Sequence, residues 1–563
     1  MHILKNASRR AFLQQASALS AVVGASATPL ALNLSAMGSA AAAGATDYKA
    51  LVCLFFFGGN DSFNMVLPTD AASWNAYTTT RTQQPDPIAL LAAGMAPNLA
   101  AAVASPARLG GVLPILPANP QSRSFALHPL MGSVKTLFDT HKRLAILPNV
   151  GPLILPTTKA QFSLAAHPKP RALFSHNDQQ NTWQALGPEG TTRGWGGLMG
   201  DLLASQNTLP IFTSISAGSS AVWLAGNSVQ QYQVGINGAI ALGVNASGQV
   251  FGSADVGAAL QRMASTPRTG LRFDADVTAV ARRSINAEQL LRTALRAPSE
   301  GPFGTAPATG AYNASNDPKL RYDNPLTGVT APNNLAQQLQ VVARLIDAGL
   351  RGATGAKRQV FFVSIGGFDT HDFQNRIHAD LSARIAQALT YFDDSLGALG
   401  ARDQVTTFTA SDFGRTFLSN GDGTDHGWGS HQFVMGGAVK GGDLYGQFPI
   451  LALKNANNSN FDGSPDQLGS GSLLPKTSVD QLGATLGRWF GLTDTQLAGI
   501  FPNLSNFDAS TRDLGFFRST ASRAAGAASI TPIGPRREAL SSAPPRKKHL
   551  ASPPGALFPY RIW

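Results

Sequence analysis

Unbroken runs of apolar residues, closed by glycines, mark the most deeply buried parts of the chain. The first run covers residues 48–57 and ends at Gly58 and Gly59. Apolar positions without alternation are typical of a strand that is covered on both faces of a parallel sheet. A similar run covers residues 359–365, and a β-like run covers residues 404–409. The pattern therefore predicts three strands inside one parallel sheet.

Helical periodicity separates these strands. Apolar residues at positions 335, 339, 342 and 346 recur at the spacing of one helix face, which predicts a helix over residues 335–350. A longer helix is predicted over 374–399 and a last one over 477–490. The repeated order of helix, strand and polar loop predicts an α/β fold with a mainly parallel sheet flanked by helices.

Weaker patterns predict the remaining organisation. Residues 144–147 and 209–215 predict short strands, and residues 129–140 predict a helix. Residues 216–334 are rich in Gly, Ala, Ser and Asn, so we interpret them as an insertion or covering region of the domain.

The first 45 residues have the pattern of a targeting segment. Arg9 and Arg10 form a twin-arginine pair, a mildly apolar span covers residues 16–34, and small residues at 43–45 offer a cleavage site. The span contains Ser, Gly, Thr and Pro and makes a poor transmembrane helix, so no stable membrane span is expected. We predict a signal peptide over residues 1–45, export by the twin-arginine translocon, and a periplasmic or extracellular location.

The positive charge of the chain lies at its two ends. Of the formal net charge of +11, residues 1–45 carry +3 and residues 518–563 carry +7, so only +1 remains for the body. This distribution argues against a nucleic-acid-binding protein. Residues 518–563 are rich in Ala, Pro, Ser and Arg without periodicity, which predicts a disordered basic tail after a domain over residues 46–517.

Cys53 is the single cysteine, and it lies inside the first apolar run. An internal disulfide is therefore impossible, and a cysteine-rich metal site is excluded. A metal ion would depend on Asp and His ligands.

Acidic residues and histidines follow the three predicted parallel strands. Carboxyl ends of parallel strands meet at one edge of a sheet, where ligands bind in open α/β folds. Such a group of side chains can hold one or two divalent metals such as Zn²⁺ or Mn²⁺, a common arrangement for the hydrolysis of phosphate or sulfate esters. The candidate ligands are Asp61, Asp369, His371, Asp412, His426 and His431.

Several motifs occur together in a specific order. They are G-G-N-D at 58–61, G-G-F-D-T-H at 366–371, S-D-F-G-R-T at 411–416, D-H-G-W-G-S-H at 425–431, G-G-A-V-K-G-G at 436–442 and N-F-D-A-S-T-R-D-L-G-F-F at 506–517. With the twin-arginine leader, they resemble the domain of unknown function family DUF1501 across residues 48–517. The resemblance implies an alkaline phosphatase-like fold, in which a doubly wound sheet carries metal ligands at its strand ends.

The resemblance also implies roles for individual residues. The matching metal ligands would be Asp61, Asp369, His371, Asp412 and His426. Two departures from the superfamily pattern concern a second metal. Phe413 follows Asp412 where the superfamily has histidine, so His431 would have to supply the missing ligand, and the Asp369-x-His371 spacing is tighter than usual.

A serine hydroxyl is the candidate nucleophile. Ser175 lies in the region where the superfamily carries its nucleophile, and metal coordination would activate its hydroxyl. The alternative is a structural role as the N-cap of a helix, which is frequent for serine. Ser62, next to Asp61, is a weaker candidate.

Three further side chains are candidates for supporting roles. His176 is a candidate metal ligand or proton donor, or a surface histidine without a site role. Arg415 is a candidate for binding a developing oxyanion through two hydrogen bonds, or for an ion pair with a neighbouring carboxylate. Asp425 is a candidate for orienting His426.

From these residues we expect an exported metal-dependent hydrolase of phosphate or sulfate esters that acts on a small anionic ester. The alternative is a non-catalytic exported protein that retains the fold and binds a glycan or another envelope component. An oxidoreductase lacks support because the sequence contains no G-x-G-x-x-G at a strand–helix turn and no cysteine ligands.

Overall fold

A computed structural model describes residues 48–519 except 104, 242, 246 and 267–271. The predicted signal peptide and residues 520–563 of the predicted tail lie outside the described residues. Within the described residues, no helix is long and apolar enough to cross a membrane.

The described residues form sixteen strands and eleven α-helices. The strands are β1 Lys49–Phe57, β2 Val66–Pro68, β3 Leu113–Ile115, β4 Phe125–Leu127, β5 Leu144–Gly151, β6 Ser214–Ser216, β7 Tyr232–Gly235, β8 Gly238–Ala239, β9 Arg321–Asp323, β10 Thr330–Pro332, β11 Arg358–Gly366, β12 Val405–Ser411, β13 Arg415–Ser419, β14 Thr424–His426, β15 Ser430–Met435 and β16 Thr477–Ser478. The helices are α1 Ala71–Arg81, α2 Gly132–Lys135, α3 Lys159–Phe162, α4 His176–Ala185, α5 Trp195–Leu203, α6 Ala254–Ser265, α7 Arg272–Ala294, α8 Asn334–Leu350, α9 Gln374–Ala398, α10 Val479–Phe490 and α11 Asp494–Ile500.

A nine-stranded central sheet organises these elements, with the strand order β16-β5-β15-β12-β1-β11-β6-β7-β8. Strand β1 is parallel to both of its neighbours, β11 and β12. Only β15 and β8 run against the common direction of the nine strands. The prediction of a mixed α/β fold with a largely parallel sheet is therefore confirmed.

The unbroken apolar sequence of β1 fits its position in the middle of the sheet. Alternate side chains point to opposite faces, so Val52 and Phe56 join one core while Cys53 and Phe55 join the other. All four side chains are buried. Each fully buried large apolar side chain contributes about 1.5–3 kcal/mol to stability. Burial of these side chains therefore holds β1 firmly in the centre of the sheet.

Helices cover both faces of the sheet. The apolar stripes of α8 and α9 pack into the first core, and α4, α5 and α10 contribute to the second. The predicted helices 335–350 and 374–399 correspond closely to α8 and α9. Helix α10 begins with a capping box in which Ser478 and Gln481 bind each other's backbone N–H groups.

The region over residues 216–334 contributes both to the sheet and to its surroundings. Strands β7 and β8 extend one edge of the sheet, while α6 and α7 pack against each other beyond that edge. The predicted strand over 209–215 is shorter than expected and covers 214–216. Pro210 has no N–H for a sheet hydrogen bond and instead starts a 3₁₀ turn over Pro210–Phe212.

Candidate metal centre

The carboxyl ends of β1, β11 and β12 meet at one edge of the sheet. A tight turn at Gly58 brings the first two together. Gly58 has φ +114°, and a Cβ there would lie 2.3 Å from the backbone nitrogen of Asp369. Only glycine fits this conformation and this approach without strain. The G-G-x-D motif after β1 therefore has a structural reason.

Four polar side chains converge at this edge, and we refer to them as the strand-end cluster: Asp369, His371, His426 and His176. Asp369 Oδ1 lies 3.2 Å from His371 Nε2 and 3.4 Å from His426 Nε2. The two Nε2 atoms lie 3.0 Å apart. Asp369 Oδ2 lies 3.5 Å from His176 Nε2.

Hydrogen bonds at Nδ1 fix the orientation of His176 and His426. His426 Nδ1 donates to the carbonyl oxygen of Phe174 over 2.7 Å, and His176 Nδ1 donates to Asp412 Oδ2 over 2.7 Å. A carbonyl can only accept, so His426 Nδ1 carries the hydrogen and Nε2 keeps a free lone pair. Partners of this kind select the ring nitrogen that is free to bind a metal.

His371 is oriented in the same way from the solvent side. Its Nδ1 lies 3.2 Å from Asp425 Oδ1, so Nε2 faces Asp369 and His426. The sequence predicted that Asp425 would orient a site histidine, and in the structure its partner is His371 rather than the adjacent His426. His371 Nε2 and His426 Nε2 therefore face each other across 3.0 Å.

The distances within the cluster are compatible with a metal polyhedron. Tetrahedral ligands at about 2.0–2.1 Å from Zn²⁺ lie roughly 3.3 Å from one another. The three separations among Asp369, His371 and His426 are 3.0, 3.2 and 3.4 Å. His176, Asp369 and His426 also each offer one ligand atom within 4.8 Å of the others. These residues can hold a single divalent ion.

Charges around the cluster shift the pKa values of its members. The hydrogen bond with Asp412 raises the pKa of His176 against the effect of burial. Burial lowers the pKa of His426, which favours its neutral form. Burial acts to raise the pKa of Asp369, but the hydrogen bond and charge of Arg415 outweigh it and hold the pKa below its usual value.

Asp412 lies behind His176 rather than in the cluster. Its buried Oδ2 accepts from His176, from Gln180 Nε2 at 2.9 Å and from the Gly58 N–H at 3.1 Å. Its Oδ1 is buried without a hydrogen-bond partner among the described residues. The sequence predicted a metal ligand at this position. The structure instead gives Asp412 the place of a carboxylate that positions a histidine.

Asp61 is also outside the cluster, although the sequence predicted it as a ligand. It is fully buried, and Arg81 binds both of its oxygens at 2.6 and 3.0 Å. Gln374 donates a further hydrogen bond to Oδ2. The carboxylate is therefore neutralised by an arginine from α1, which no sequence motif marked.

His431 does not supply a further ligand to the cluster. It is fully buried near the start of β15, where its Nδ1 accepts the N–H of Asn149 at 3.0 Å. Its ring packs 4.5 Å from that of Phe448, centroid to centroid. Strand β15 points this side chain away from the cluster into an aromatic environment.

The two serine candidates have structural surroundings. Ser175 occupies the N-cap position of α4, and its hydroxyl donates to Asp178 Oδ2 over 2.9 Å. The hydroxyl oxygen of Ser62 is buried without a hydrogen-bond partner among the described residues. Neither serine is among the clustered ligand groups, although Ser175 directly precedes His176.

Arg415 holds Asp369 in place. Its fully buried guanidinium donates to Asp369 Oδ1 at 2.8 Å and to the Gly58 carbonyl at 3.2 Å, and it also donates to the carbonyl of Thr424. Of the two roles predicted for Arg415, this geometry corresponds to the ion pair. The guanidinium has no solvent-facing group with which to bind an oxyanion.

The sequence analysis did not single out Gln180, Arg81 or the Phe174 carbonyl. Gln180 lies one helical turn after His176, and this i, i+4 spacing is the sequence signal that could have linked both to one acceptor. A backbone carbonyl leaves no sequence signal. The position of Arg81 depends on tertiary packing.

Two exposed phenylalanines lie next to the cluster residues in an unusual conformation. Phe174 has φ 74° and is 39% exposed, and Phe373 has φ 54° and is 54% exposed. Left-handed backbone is rare for bulky residues and often occurs at functional sites. The backbone of Phe174 contacts the cluster directly, because its carbonyl accepts from His426 Nδ1.

A cavity of about 540 Å³ lies beside the cluster along the same edge of the sheet. Its wall includes Gly366, the last residue of β11, which pairs with Phe57 at the end of β1. Its lining includes the neutral polar side chains of Ser219, Gln233, Gln338 and Ser364, and one cation, Arg384, which forms an ion pair with Asp380. The cavity suits a polar group.

The fold and the cluster together define an α/β protein with a candidate metal centre at the carboxyl edge of a largely parallel sheet. The chain belongs to the family described as "Protein of unknown function (DUF1501)", whose model matches residues 48–500. No curated protein is significantly similar to the chain.

Proposed function

We propose that this chain is an exported, metal-dependent hydrolase of phosphate or sulfate esters. The observation that carries the proposal is the convergence of imidazole Nε2 atoms on Asp369, each imidazole being oriented by a hydrogen bond at Nδ1. One ion, Zn²⁺ or Mn²⁺, suits this donor set, because Asp61, Asp412 and His431 all have other partners.

Asp369, His371 and His426 would hold the cation, since their separations are the shortest in the cluster. When bound, a divalent cation would polarise an ester oxygen and stabilise the negative charge that develops there. Three protein ligands leave further coordination positions open, as in catalytic zinc sites. Arg415 would keep Asp369 ionised and in position.

His176 would act as the general acid for the leaving group. Its Nδ1 hydrogen is held by Asp412, so the second proton of the imidazolium would reside on Nε2, the nitrogen that faces the cluster. Asp412 would stabilise that charged form, as the carboxylate of a catalytic triad does for its histidine. Gln180 would help to hold the carboxylate in its orientation.

Water is the nucleophile that we propose in preference to Ser175, because the Ser175 hydroxyl is engaged with Asp178 at the start of α4. The polar cavity beside the cluster would receive the alcohol part of a small anionic ester, for example a sugar. The rings of Phe174 and Phe373 would cover its apolar face.

The twin-arginine pair at Arg9 and Arg10 supports export by the twin-arginine translocon to the periplasm or the extracellular space. That route carries folded cargo, which suits a protein that acquires its metal before export. Signal-peptide cleavage and fractionation of cells that express the chain, with and without an Arg9→Lys/Arg10→Lys change, test this part of the proposal.

Metal analysis and ester hydrolysis together test the catalytic proposal. The purified chain should bind about one Zn²⁺ or Mn²⁺, and the loaded protein should hydrolyse an aryl phosphate or aryl sulfate. His426→Ala should lose both properties, whereas His141→Ala, a change at an exposed histidine, should retain them. Turnover that survives Ser175→Ala would support water as the nucleophile. Metal binding without turnover of any ester would favour the glycan-binding alternative.

A further inference from the structure

A second cavity, of about 780 Å³, lies at the opposite end of the sheet from the strand-end cluster. One side is formed by α7 and the other by residues 209–212 and 228–232, which precede or begin β6 and β7. These two strands are parallel, so both begin beside this cavity and end toward the carboxyl edge. The cavity is therefore separate from the candidate metal centre.

Most of the cavity wall is apolar. Helix α7 contributes Ala287 and Leu290 from one face, and the facing residues include Leu209, Ile211, Phe212 and Val229. Its volume falls within the range of roughly 300–1,000 Å³ that is typical of small-molecule sites. An apolar ligand would gain from leaving water here, as each buried methylene contributes about 0.8 kcal/mol, or about fourfold in affinity.

The charges at the cavity wall select the head group of such a ligand. Asp201 accepts the backbone N–H groups of Asn227, Ser228 and Val229, so its carboxylate is satisfied. Arg283 also lines the cavity and is exposed, and within the described part of the chain no carboxylate forms an ion pair with it. The cavity thus joins an apolar interior to two charged side chains: Asp201, whose oxygens accept backbone N–H groups, and Arg283, which has no carboxylate partner among the described residues.

We propose that this cavity binds a single long-chain anionic amphiphile, with its hydrocarbon chain against Phe212 and Leu290 and its carboxylate on Arg283. An apolar wall alone would accept a neutral alkane or alcohol equally well. The guanidinium adds an ion pair that only an anionic head group can form.

A series of fatty acids tests the apolar part of the proposal. Octanoate, decanoate and dodecanoate are titrated into the purified full-length chain by calorimetry, below their critical micelle concentrations. Affinity should rise by roughly fifteenfold for each two methylenes, with one ligand bound per chain. An affinity that does not depend on chain length, or several ligands per chain, would overturn the proposal.

Two neighbouring arginines provide a matched test of the head group. Arg283→Ala should weaken dodecanoate binding by about tenfold, the loss expected for a hydrogen bond to a charged group, and should leave dodecanol binding unchanged. Arg282→Ala is the control, because Arg282 binds the carbonyl of Ser265 and does not line the cavity. Equal losses for the two variants would contradict a specific role for Arg283.

Two further variants test the location. Ala287→Trp should fill the cavity and abolish dodecanoate binding. Val280→Glu places a negative charge at a half-exposed residue of the cavity wall, where folding tolerates it, and should weaken dodecanoate more than dodecanol. Unchanged binding in Val280→Glu would exclude this site. Dodecanoate binding should also persist in His426→Ala. The outcome of the binding experiments is therefore independent of the proposed hydrolase activity.

Discussion

Asp61 forms a buried ion pair with Arg81, although the sequence predicted it as a metal ligand. Variants of this pair can test which of the two roles Asp61 has. Both side chains are fully buried, and two hydrogen bonds join them. We expect Asp61→Asn and Arg81→Met each to destabilise the fold strongly. Metal binding at the strand-end cluster should persist in Asp61→Asn.

The size of the effect follows from what each change leaves behind. Removing one partner of a buried ion pair leaves an uncompensated charge and costs about 3–5 kcal/mol. In Asp61→Asn the remaining Arg81 still donates to the carbonyls of Thr416 and Phe417, which favours the lower end of that range. In Arg81→Met the Asp61 carboxylate keeps only neutral donors, Gln374 and the Phe63 N–H, which favours the upper end.

Urea unfolding at neutral pH measures these losses, and the double variant completes a thermodynamic cycle. Asp61→Asn with Arg81→Met should cost less than the sum of the single changes, since neither charge is left alone. Asp494→Asn is the control, because its pair with Arg488 is exposed and should contribute no more than about 1 kcal/mol. Unchanged stability together with loss of metal in Asp61→Asn would refute the reasoning.

Three other changes follow from the structure. Asp425→Ala should weaken metal binding by about 10–100-fold, as measured by chelator competition, because it removes the acceptor that orients His371. Gly58→Ala should lower the unfolding midpoint and disturb the cluster, because the new Cβ would collide with the Asp369 backbone. Gly94→Ala is the control for the lost conformational freedom, because Gly94 also has a positive φ but has open space around it. Burial lowers the pKa of His378 to about 4 and that of His431 to about 3, against a usual value of 6.5. As pH falls, these histidines take up protons in the unfolded chain at a higher pH than in the folded one. Their contribution to the free energy of unfolding should therefore be constant above about pH 6.5 and fall as pH drops toward 3. His378→Gln and His431→Gln should flatten that fall, and an unchanged slope would contradict the lowered pKa values.

The sequence was sufficient to predict the elements that depend on continuous local pattern. The unbroken apolar run of β1 predicted a buried strand, and the apolar spacing of α8 predicted a helix. Both elements lie where they were expected. The sequence did not predict the turn at Pro210 or the strands β7 and β8, because these last two strands at one side of the sheet are short and carry little hydrophobic pattern. In these segments tertiary contacts outweigh local preference.

The candidate site could be predicted only in part. Asp369, His371 and His426 were named because acids and histidines follow predicted strands, and the structure brings them together. His176 was named only as one of several possibilities. Its membership depends on where α4 packs, because that packing places Nδ1 against Asp412. No local pattern encodes that distance.

Two aspartates with nearly the same local sequence, a glycine pair followed two residues later by Asp, have different surroundings. The motif alone therefore could not predict which aspartate is a candidate ligand. Asp61 and Asp369 each follow a strand and a glycine pair, and each contacts a buried arginine. Arg81 occupies both oxygens of Asp61, and the surrounding chain leaves that carboxylate no exposure. Arg415 occupies only Oδ1 of Asp369, whose side chain stays 47% exposed and faces three imidazoles. Asp369 Oδ1, which Arg415 contacts from one side, is also the oxygen nearest to His371 and His426. A partly exposed carboxylate that faces imidazoles can bind a cation, whereas one enclosed by a guanidinium is part of the core. The exposure of the carboxylate and the imidazoles that face it therefore separate the candidate ligand from the structural residue.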